Sequence, residues 1–298
     1  MEIAEAFMGD RVQSFGGEHT RRKLDVVAKY LSAYVTVMKK QDFRLFYVDG
    51  FAGSGASIAK TELDRGNDPT LFPAGEVLEG SPVRALTVEP SFDEYLFIDK
   101  NQENVRSLSS LSKQFPDRNI KSVHGDANER LVEFCEALSG GRLDRAVVFL
   151  DPFGLSVRWE TIELIAATRK VDLWYLVPVD GMSRQIRDDG SFLPGATKID
   201  ELWGSTAWRT KAVRQADAPG DLFGSVDTRL EKIAKAKQFS EMFRDHLQDV
   251  FAGGVAKTYL PLGRGRRHDF SLMFACANPS PAASQAAMRI ANHILRTA

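Results

Sequence analysis

Three apolar runs and a shorter fourth, each followed closely by an aspartate, constrain this 298-residue chain more than any other feature. They are LFYVD to Asp49, YLFID to Asp99, SVHGD to Asp126 and VVFLD to Asp151. The stretches around them have a different period. Leu24, Val27, Leu31, Tyr34 and Met38 recur every three or four positions within Arg21 to Met38, as do Val105, Leu108 and Leu111 within Gln102 to Phe115. Continuous apolar strands alternating with amphipathic helices predict a parallel sheet covered by helices on both faces. All strands of such a sheet point their carboxyl ends to one edge, where open α/β sheets bind ligands, so the four aspartates are expected to meet there.

The expected elements follow from the same patterns. Strands are predicted at Leu45–Val48, at Tyr95–Ile98, just before Gly125, at Ala146–Leu150 and at Leu173–Val179. A helix is expected from Ser81 and Pro82, with the serine as cap and the proline at the first helical position. Further helices are expected over Asn128–Leu138, over 159–167, over Phe239–Phe251 and from Pro281 to Leu295. Thr258–Leu262 and Phe270–Ala275 bracket the turn GRGRRHD as a hairpin-like pair. Residues 56–80 carry turn chemistry without a period and are expected to be a loop insertion. Residues 180–235 are expected to form a helical or irregular insertion within one domain spanning 1–298, serving substrate or partner. Trp203 and Trp208 inside it can fill a small core or stack bases.

Composition removes several classes of function. Apolar residues make up 43% and charged residues 27%, an ordinary globular balance, and no run of about 18 apolar residues is present to span a bilayer. The start, MEIAEAFMGD, has neither a basic segment nor an apolar core of a signal peptide, so a cytoplasmic protein is expected. Cys135 and Cys276 have no metal-ligand spacing and are expected to be buried thiols; no metal site is predicted. A net charge of −1 excludes a protein that coats nucleic acid through its overall charge, while leaving room for a local basic surface.

The loop after the first strand, Asp49-Gly50-Phe51-Ala52-Gly53-Ser54-Gly55, puts flexible backbone at a strand's carboxyl end, where a nucleotide-like ligand is expected. Its glycine spacing departs from the GxGxxG dinucleotide fingerprint, which disfavours a nicotinamide enzyme. Five parallel-type strands, a helix and a terminal antiparallel pair are also the layout of Rossmann-like class I S-adenosylmethionine-dependent methyltransferases.

The motifs sharpen that likeness. DGFAGSG resembles motif I of amino-group methyltransferases, FIDKN the acidic motif that holds the ribose hydroxyls, and GDAN the motif that meets the adenine. With HTRRKLDVVAKYLSAYV, YVDGFAGSG, EGSPVRAL, YLFIDKN and VVFLDPFG, the chain resembles the three-Cys-motif partner (TcmP) family, closely over residues 19 to about 180 and more loosely beyond. The resemblance implies S-adenosylmethionine as cofactor and a protein with a radical-SAM-type cysteine motif as partner. Asp99 would accept from the ribose hydroxyls, with Lys100 beside it; its other role would be to cap the next helix. Asp126 would accept from the adenine amine and Ala127 would offer its amide, unless Asp126 simply caps the helix. Asp49 would lie near the cofactor's amino group or an ordered water, and His19 and Lys23 near its carboxylate; the latter two could equally be surface residues.

The second chemical signal is FLDPFG. In methyltransferases of exocyclic amines on adenine or cytosine this position carries Asp or Asn, two prolines and an aromatic. Asp151 and the Pro152 region would hold the amine and stabilise the cationic nitrogen that forms on attack. Phe153 replaces the second proline and Gly154 the aromatic, which displaces base stacking from its usual place. DPFG also resembles the motif of tRNA guanine N2-dimethyltransferases. Arg184 and Arg187 after the fifth strand, and Arg264, Arg266, Arg267 and His268 on the hairpin turn, suit phosphate contacts, or a solvated turn. The expected function is therefore N-methylation on RNA or DNA, without membrane attachment. The alternatives are a weak or inactive cofactor-binding subunit of the three-Cys protein and a small-molecule methyltransferase.

Overall fold

A computed structural model describes residues 18–58, 77–215, 230–265 and 267–298. The first helix, α1 (Glu18–Met38), begins three residues before the expected start and leads into β1 (Arg44–Asp49). Then come β2 (Ala56–Ile58), β3 (Val77–Glu79), α2 (Ser81–Leu86), β4 (Glu94–Asp99), α3 (Gln102–Gln114), β5 (Ile120–His124) and α4 (Ala127–Gly140). The chain continues through β6 (Asp144–Leu150), α5 (Trp159–Ala167), β7 (Val171–Val177), α6 (Val179–Ser183), α7 (Ala196–Trp203) and α8 (Ala207–Ala212). It ends with β8 (Val213–Gln215), β9 (Leu230–Lys232), α9 (Ala236–Val250), β10 (Leu260–Leu262), β11 (Phe270–Cys276) and α10 (Pro281–Thr297).

Seven strands form one sheet in the order β5-β4-β1-β6-β7-β11-β10. The first five are parallel, while β11 runs antiparallel to both β7 and β10. This is the mainly parallel, helix-flanked sheet with a terminal antiparallel pair that the sequence predicts, the class I methyltransferase layout. From β1 the chain steps outward through β4 and β5, then returns to the other side of β1 for β6 and β7. Strand order therefore reverses between β1 and β6, which opens a crevice at their carboxyl ends.

Alternation along each strand divides the core into two layers. Tyr47, Tyr95, Phe97, Phe149, Trp174 and Phe274 face one side, under α1, α2, α3 and α10. Val48, Ile98, Val148, Leu150, Tyr175 and Met273 face the other, under α4, α5 and α9. Burial of both faces accounts for the unbroken apolar runs of β1, β6 and β7.

Several expectations are corrected. Residues 56–58 and 77–79 are not loop but pair as antiparallel strands, and 59–76 lie outside the described residues. The cap of α2 is Gly80, not Ser81, and Pro82 is the second helical residue. Gly80 is required by close approach: its amide donates to the Gly55 carbonyl at 2.9 Å, and a Cβ would lie 2.7 Å from that oxygen. The fifth strand starts and ends two residues early, at Val171 and Val177. Residues 180–235 contain helices, as expected: most of α6, then α7 and α8, followed by the β8–β9 pair, with 216–229 outside the described residues. Trp203 and Trp208 are buried in the main core layer against Phe243 and Phe239, so they fill core rather than offer faces to bases. Cys135 and Cys276 are buried free thiols, as expected.

Candidate functional site

Asp49 ends β1 at the crevice and is fully buried. Its Oδ1 accepts from the Phe51 amide at 3.1 Å, and the Tyr47 hydroxyl lies 3.5 Å from Oδ2. Ser81, displaced from its expected capping role, hydrogen-bonds to the same carboxylate. Burial raises the Asp49 pKa to about 7 against the lowering by Ser81 and Phe51; Asp151 pushes it further up and Lys23 pulls it down. The last two influences place Asp49, Asp151 and Lys23 in one electrostatic cluster.

The glycine loop leaves Asp49 and folds back between β4 and β6. Gly50 donates to the Phe149 carbonyl and Ala52 to the Ile98 carbonyl, each at 3.0 Å. Gly53 and Gly55 have φ of +61° and +84°, the left-handed region that favours glycine. The Gly53 amide donates to Asp99 Oδ2 at 2.9 Å, which ties the end of β1 to the end of β4. Asp99 Oδ1 accepts from the Asn101 amide at 2.7 Å and from Asn104 Nδ2 at 3.0 Å. Asn101, not Asp99, caps α3, so the Asp99 carboxylate is free of that duty and half-exposed. Lys100 is exposed, and its carbonyl lies 3.0 Å from His124 Nε2.

Asp126 does cap its helix. Its Oδ1 accepts from the Asn128 amide and from Asn128 Nδ2, both at 2.9 Å, with Arg158 at 3.6 Å. Desolvation works to raise its pKa, but the Asn128 bonds and Arg158 outweigh it and hold the carboxyl below its usual range. Ala127 is the first residue of α4.

Asp151 lies just past β6 with its side chain 28% exposed, across the crevice from Asp49. It forms an ion pair with Lys23, whose side chain is only 10% exposed. Lys23 is thus neither a surface residue nor free; α1 carries it into the site. Pro152 is buried, whereas Phe153 is 64% exposed, followed by Gly154 at φ +64° with open space around it. One turn before Lys23, His19 is half-buried, and its pKa is lowered by burial and by the neighbouring Arg264 and Lys23. The β10–β11 turn therefore reaches the start of α1, which joins two groups of residues that looked separate in the sequence.

The other arginines are held by a residue the sequence did not single out. Asp180 Oδ2 takes Arg184 Nε at 3.0 Å and an Arg267 guanidinium nitrogen at 3.3 Å. Arg267 also meets Asp269 at 3.0 Å. Arg187 sits on a separate turn with Ser191, and Arg266 lies outside the described residues. His268 is not presented as a phosphate contact, since its Nε2 hydrogen-bonds with Ser271 at 2.7 Å. Ser81 meets Asp49 and Asp180 meets Arg267 from distant parts of the chain, pairings that no local pattern signals, whereas Asn101 and Asn104 act within five residues of their partners and sequence reasoning gave them no role of their own.

A groove of about 640 Å³ opens beside these residues, between the loop after β6, the start of α4 and α7. Asp126, Phe153, Leu155, Arg158, Lys198 and Glu201 line it. Among the described residues no cluster of His, Cys, Asp and Glu is arranged to hold a metal ion, and no helix is long and apolar enough to cross a membrane.

No family model matches the chain, and no curated protein sequence does. Solved structures show likeness in fold. Protein LPL1258 from Legionella pneumophila str. Philadelphia 1, assigned to DUF519, is similar over 92% of this chain and 91% of its own, at 15% identity and a TM-score of 0.49. The bifunctional kinase-methyltransferase WbdD is similar over 93% of this chain at 13% identity and a TM-score of 0.40, and the match spans 46% of the WbdD chain. The strand order and directions of the sheet are those of a methyltransferase-like fold; the two likenesses bear on neither its activity nor its site residues.

Proposed function

We propose that this protein is a cytoplasmic S-adenosylmethionine-dependent methyltransferase of the three-Cys-motif partner family, acting on an exocyclic amine of RNA or DNA. The observation that carries the reading is the meeting of Asp49, Asp99 and Asp151 around a positive-φ glycine loop, where strand order reverses.

The residues present fit the cofactor. A carboxylate has about four acceptor positions, and Asp99 uses three, which leaves one for a ribose hydroxyl. Exchange with the Asn104 amide frees a second. Asp126 can accept from an adenine amine with the oxygen that its Asn128 bonds do not use. Gly53 and Gly55 present backbone without side chains to the methionine part. Asp49 lies where an ammonium group would be matched by a buried carboxylate, and His19 and Lys23 enter from α1 on the carboxylate side. When bound, the cofactor supplies a methyl group on a sulfonium.

The chain's own residues then govern the acceptor. Asp151 and the Pro152 carbonyl accept hydrogen bonds from an exocyclic amine and aim its lone pair, and the Asp151 charge stabilises the nitrogen as it becomes cationic. Arg184, Arg264, Arg266 and Arg267 are assigned to phosphates of the substrate. Incubation of the purified protein with labelled cofactor and nucleic acid pools tests the reading. Transfer that Asp151→Asn lowers at least about 100-fold supports it; no transfer to any pool refutes it.

Two observations favour a second reading. Lys23 occupies the Asp151 carboxylate that the amine would need, and Gly154 removes the usual aromatic. A cofactor-binding subunit of the three-Cys-motif protein would show binding that depends on Asp99, no turnover, and stable co-purification with that partner.

A further inference from the structure

Lys23 is carried into the site by a helix that is firmly seated. Leu24, Val27 and Leu31 of α1 are buried, so the lysine stem starts from a fixed point and its flexible four-carbon chain sets where the ammonium goes. In this structure the ammonium meets Asp151. It also acts on Asp49, whose pKa it lowers while Asp151 raises it, and on His19 one turn earlier, whose pKa it lowers. One lysine thus stands between two carboxylates.

The two carboxylates differ in what they tolerate. Asp49 is fully buried, and the groups at its carboxylate, the Phe51 amide, the Tyr47 hydroxyl and Ser81, are uncharged. Asp151 keeps 28% of its side chain exposed. A fully buried ion without a partner costs much more than one that water reaches, so Asp151 is the carboxylate that can stand alone. An α-amino-acid end, with one ammonium and one carboxylate, changes the pairing in this cluster without changing its net charge. Its ammonium suits Asp49, and its carboxylate suits Lys23, which has three N–H donors to offer. The carboxylate left over is Asp151.

We propose that Lys23 is a positioning residue that exchanges partners: it leaves Asp151 for the carboxylate of the cofactor's amino-acid end, and so releases Asp151 to the acceptor amine only once the cofactor is in place. The released charge then faces the nitrogen that becomes cationic, which an Asp151 neutralised by Lys23 would stabilise less. The Lys23–Asp151 pair guards against an acceptor that arrives first. The exchange rests on the cofactor reading above and adds to it an order of binding, cofactor before acceptor.

The test is isothermal titration of wild type, Asp151→Asn, Lys23→Met and the variant carrying both, at about pH 8, above the Asp49 value of about 7. Lys23→Gln takes the place of Lys23→Met if the latter does not fold. The ligands are S-adenosylhomocysteine, which has the amino-acid end and no sulfonium charge, and methylthioadenosine, which lacks that end. Asp151 competes for Lys23 in wild type, so Asp151→Asn should bind S-adenosylhomocysteine roughly three- to tenfold more tightly, the worth of a partly exposed ion pair. In the Lys23→Met background the same substitution should bring no such gain, and methylthioadenosine should not respond to it. Equal or weaker binding of S-adenosylhomocysteine by Asp151→Asn overturns the exchange. So does a gain that persists without Lys23, which would come through Asp49 or from plain repulsion, and so does a gain shared by methylthioadenosine. Each of these three results leaves the cofactor site standing. No binding of S-adenosylhomocysteine by wild type would instead remove the cofactor reading itself, and the exchange with it.

Discussion

Replacing Asp49 by Asn changes a buried charge while keeping the shape of the side chain, and its effect on stability depends on pH in a defined way. The Asp49 carboxyl is lifted from 3.8 to about 7, chiefly by burial, so its ionisation in the folded protein costs about 4 kcal/mol. In the unfolded chain the group ionises near pH 4. Between about pH 4 and 7 the folded state holds a proton that the unfolded state has released, so wild-type stability falls as pH rises through this window. Above about 7 both states are ionised and the loss stops growing. The neutral amide of the variant carries no such penalty. The stability of Asp49→Asn relative to wild type should therefore rise by about 1.4 kcal/mol per pH unit from about pH 4 to 7, then level off. Urea unfolding followed by the fluorescence of buried Trp174 and Trp208 measures this, and other titrating groups, including Asp172, cancel in the difference. A difference that does not vary with pH would refute the argument. The same charge has a use under the proposed function: a cationic ligand binds the ionised form, so wild-type affinity for S-adenosylmethionine should rise up to tenfold per pH unit until about pH 7. In Asp49→Asn it should be weak and nearly independent of pH.

Lys23→Met removes one of the groups that lower the Asp49 pKa, after the Ser81 and Phe51 hydrogen bonds, and leaves Asp151 without its cation. The urea series should show about 1–3 kcal/mol of destabilisation, less than for a fully buried pair because Asp151 is partly exposed, and the pH window should move upward; no change in either contradicts the cluster. Gly80→Ala puts a Cβ 2.7 Å from the Gly55 carbonyl oxygen, so calorimetry and a thermal melt should show weakened cofactor binding and roughly 1–3 kcal/mol lost. Trp208→Ala empties a fully buried site and breaks the Nε1 bond to Asp200 at 2.9 Å; urea unfolding should show a loss of about 3–5 kcal/mol, while anisotropy at a temperature where the variant is folded should show oligonucleotide binding unchanged.

The sheet was legible because its signal is local. Apolar strands of six or seven residues ending at Asp49, Asp99 and Leu150 carry their own periodicity, as do α1, α3 and α4. Residues 180–235 hid their structure for the opposite reason: α6, α7 and α8 have five, eight and six residues, too few turns to establish a helical period. The acidic ends of the strands could be named in advance, since strand direction alone sends them to one edge. Their partners could not. That Lys23 meets Asp151 across 128 positions, and Arg267 meets Asp180 across 87, depends on how α1 and the β10–β11 turn pack, which no short window of sequence contains. Ser81 shows the limit of local chemistry. A serine before proline looks like a helix cap, but Gly55 demands a glycine at position 80, and the serine moves one place inward to Asp49.

The central claim, that the glycine loop and Asp99 form a site for S-adenosylmethionine, is tested most directly by isothermal titration of the cofactor into wild type and Asp99→Ala. Asp99 supplies the ribose acceptors and also anchors the Gly53 amide, so the account predicts saturable one-to-one binding in wild type and a loss of at least about tenfold in a variant that remains folded by circular dichroism. No heat of binding in wild type, or equal affinity in Asp99→Ala, would contradict it.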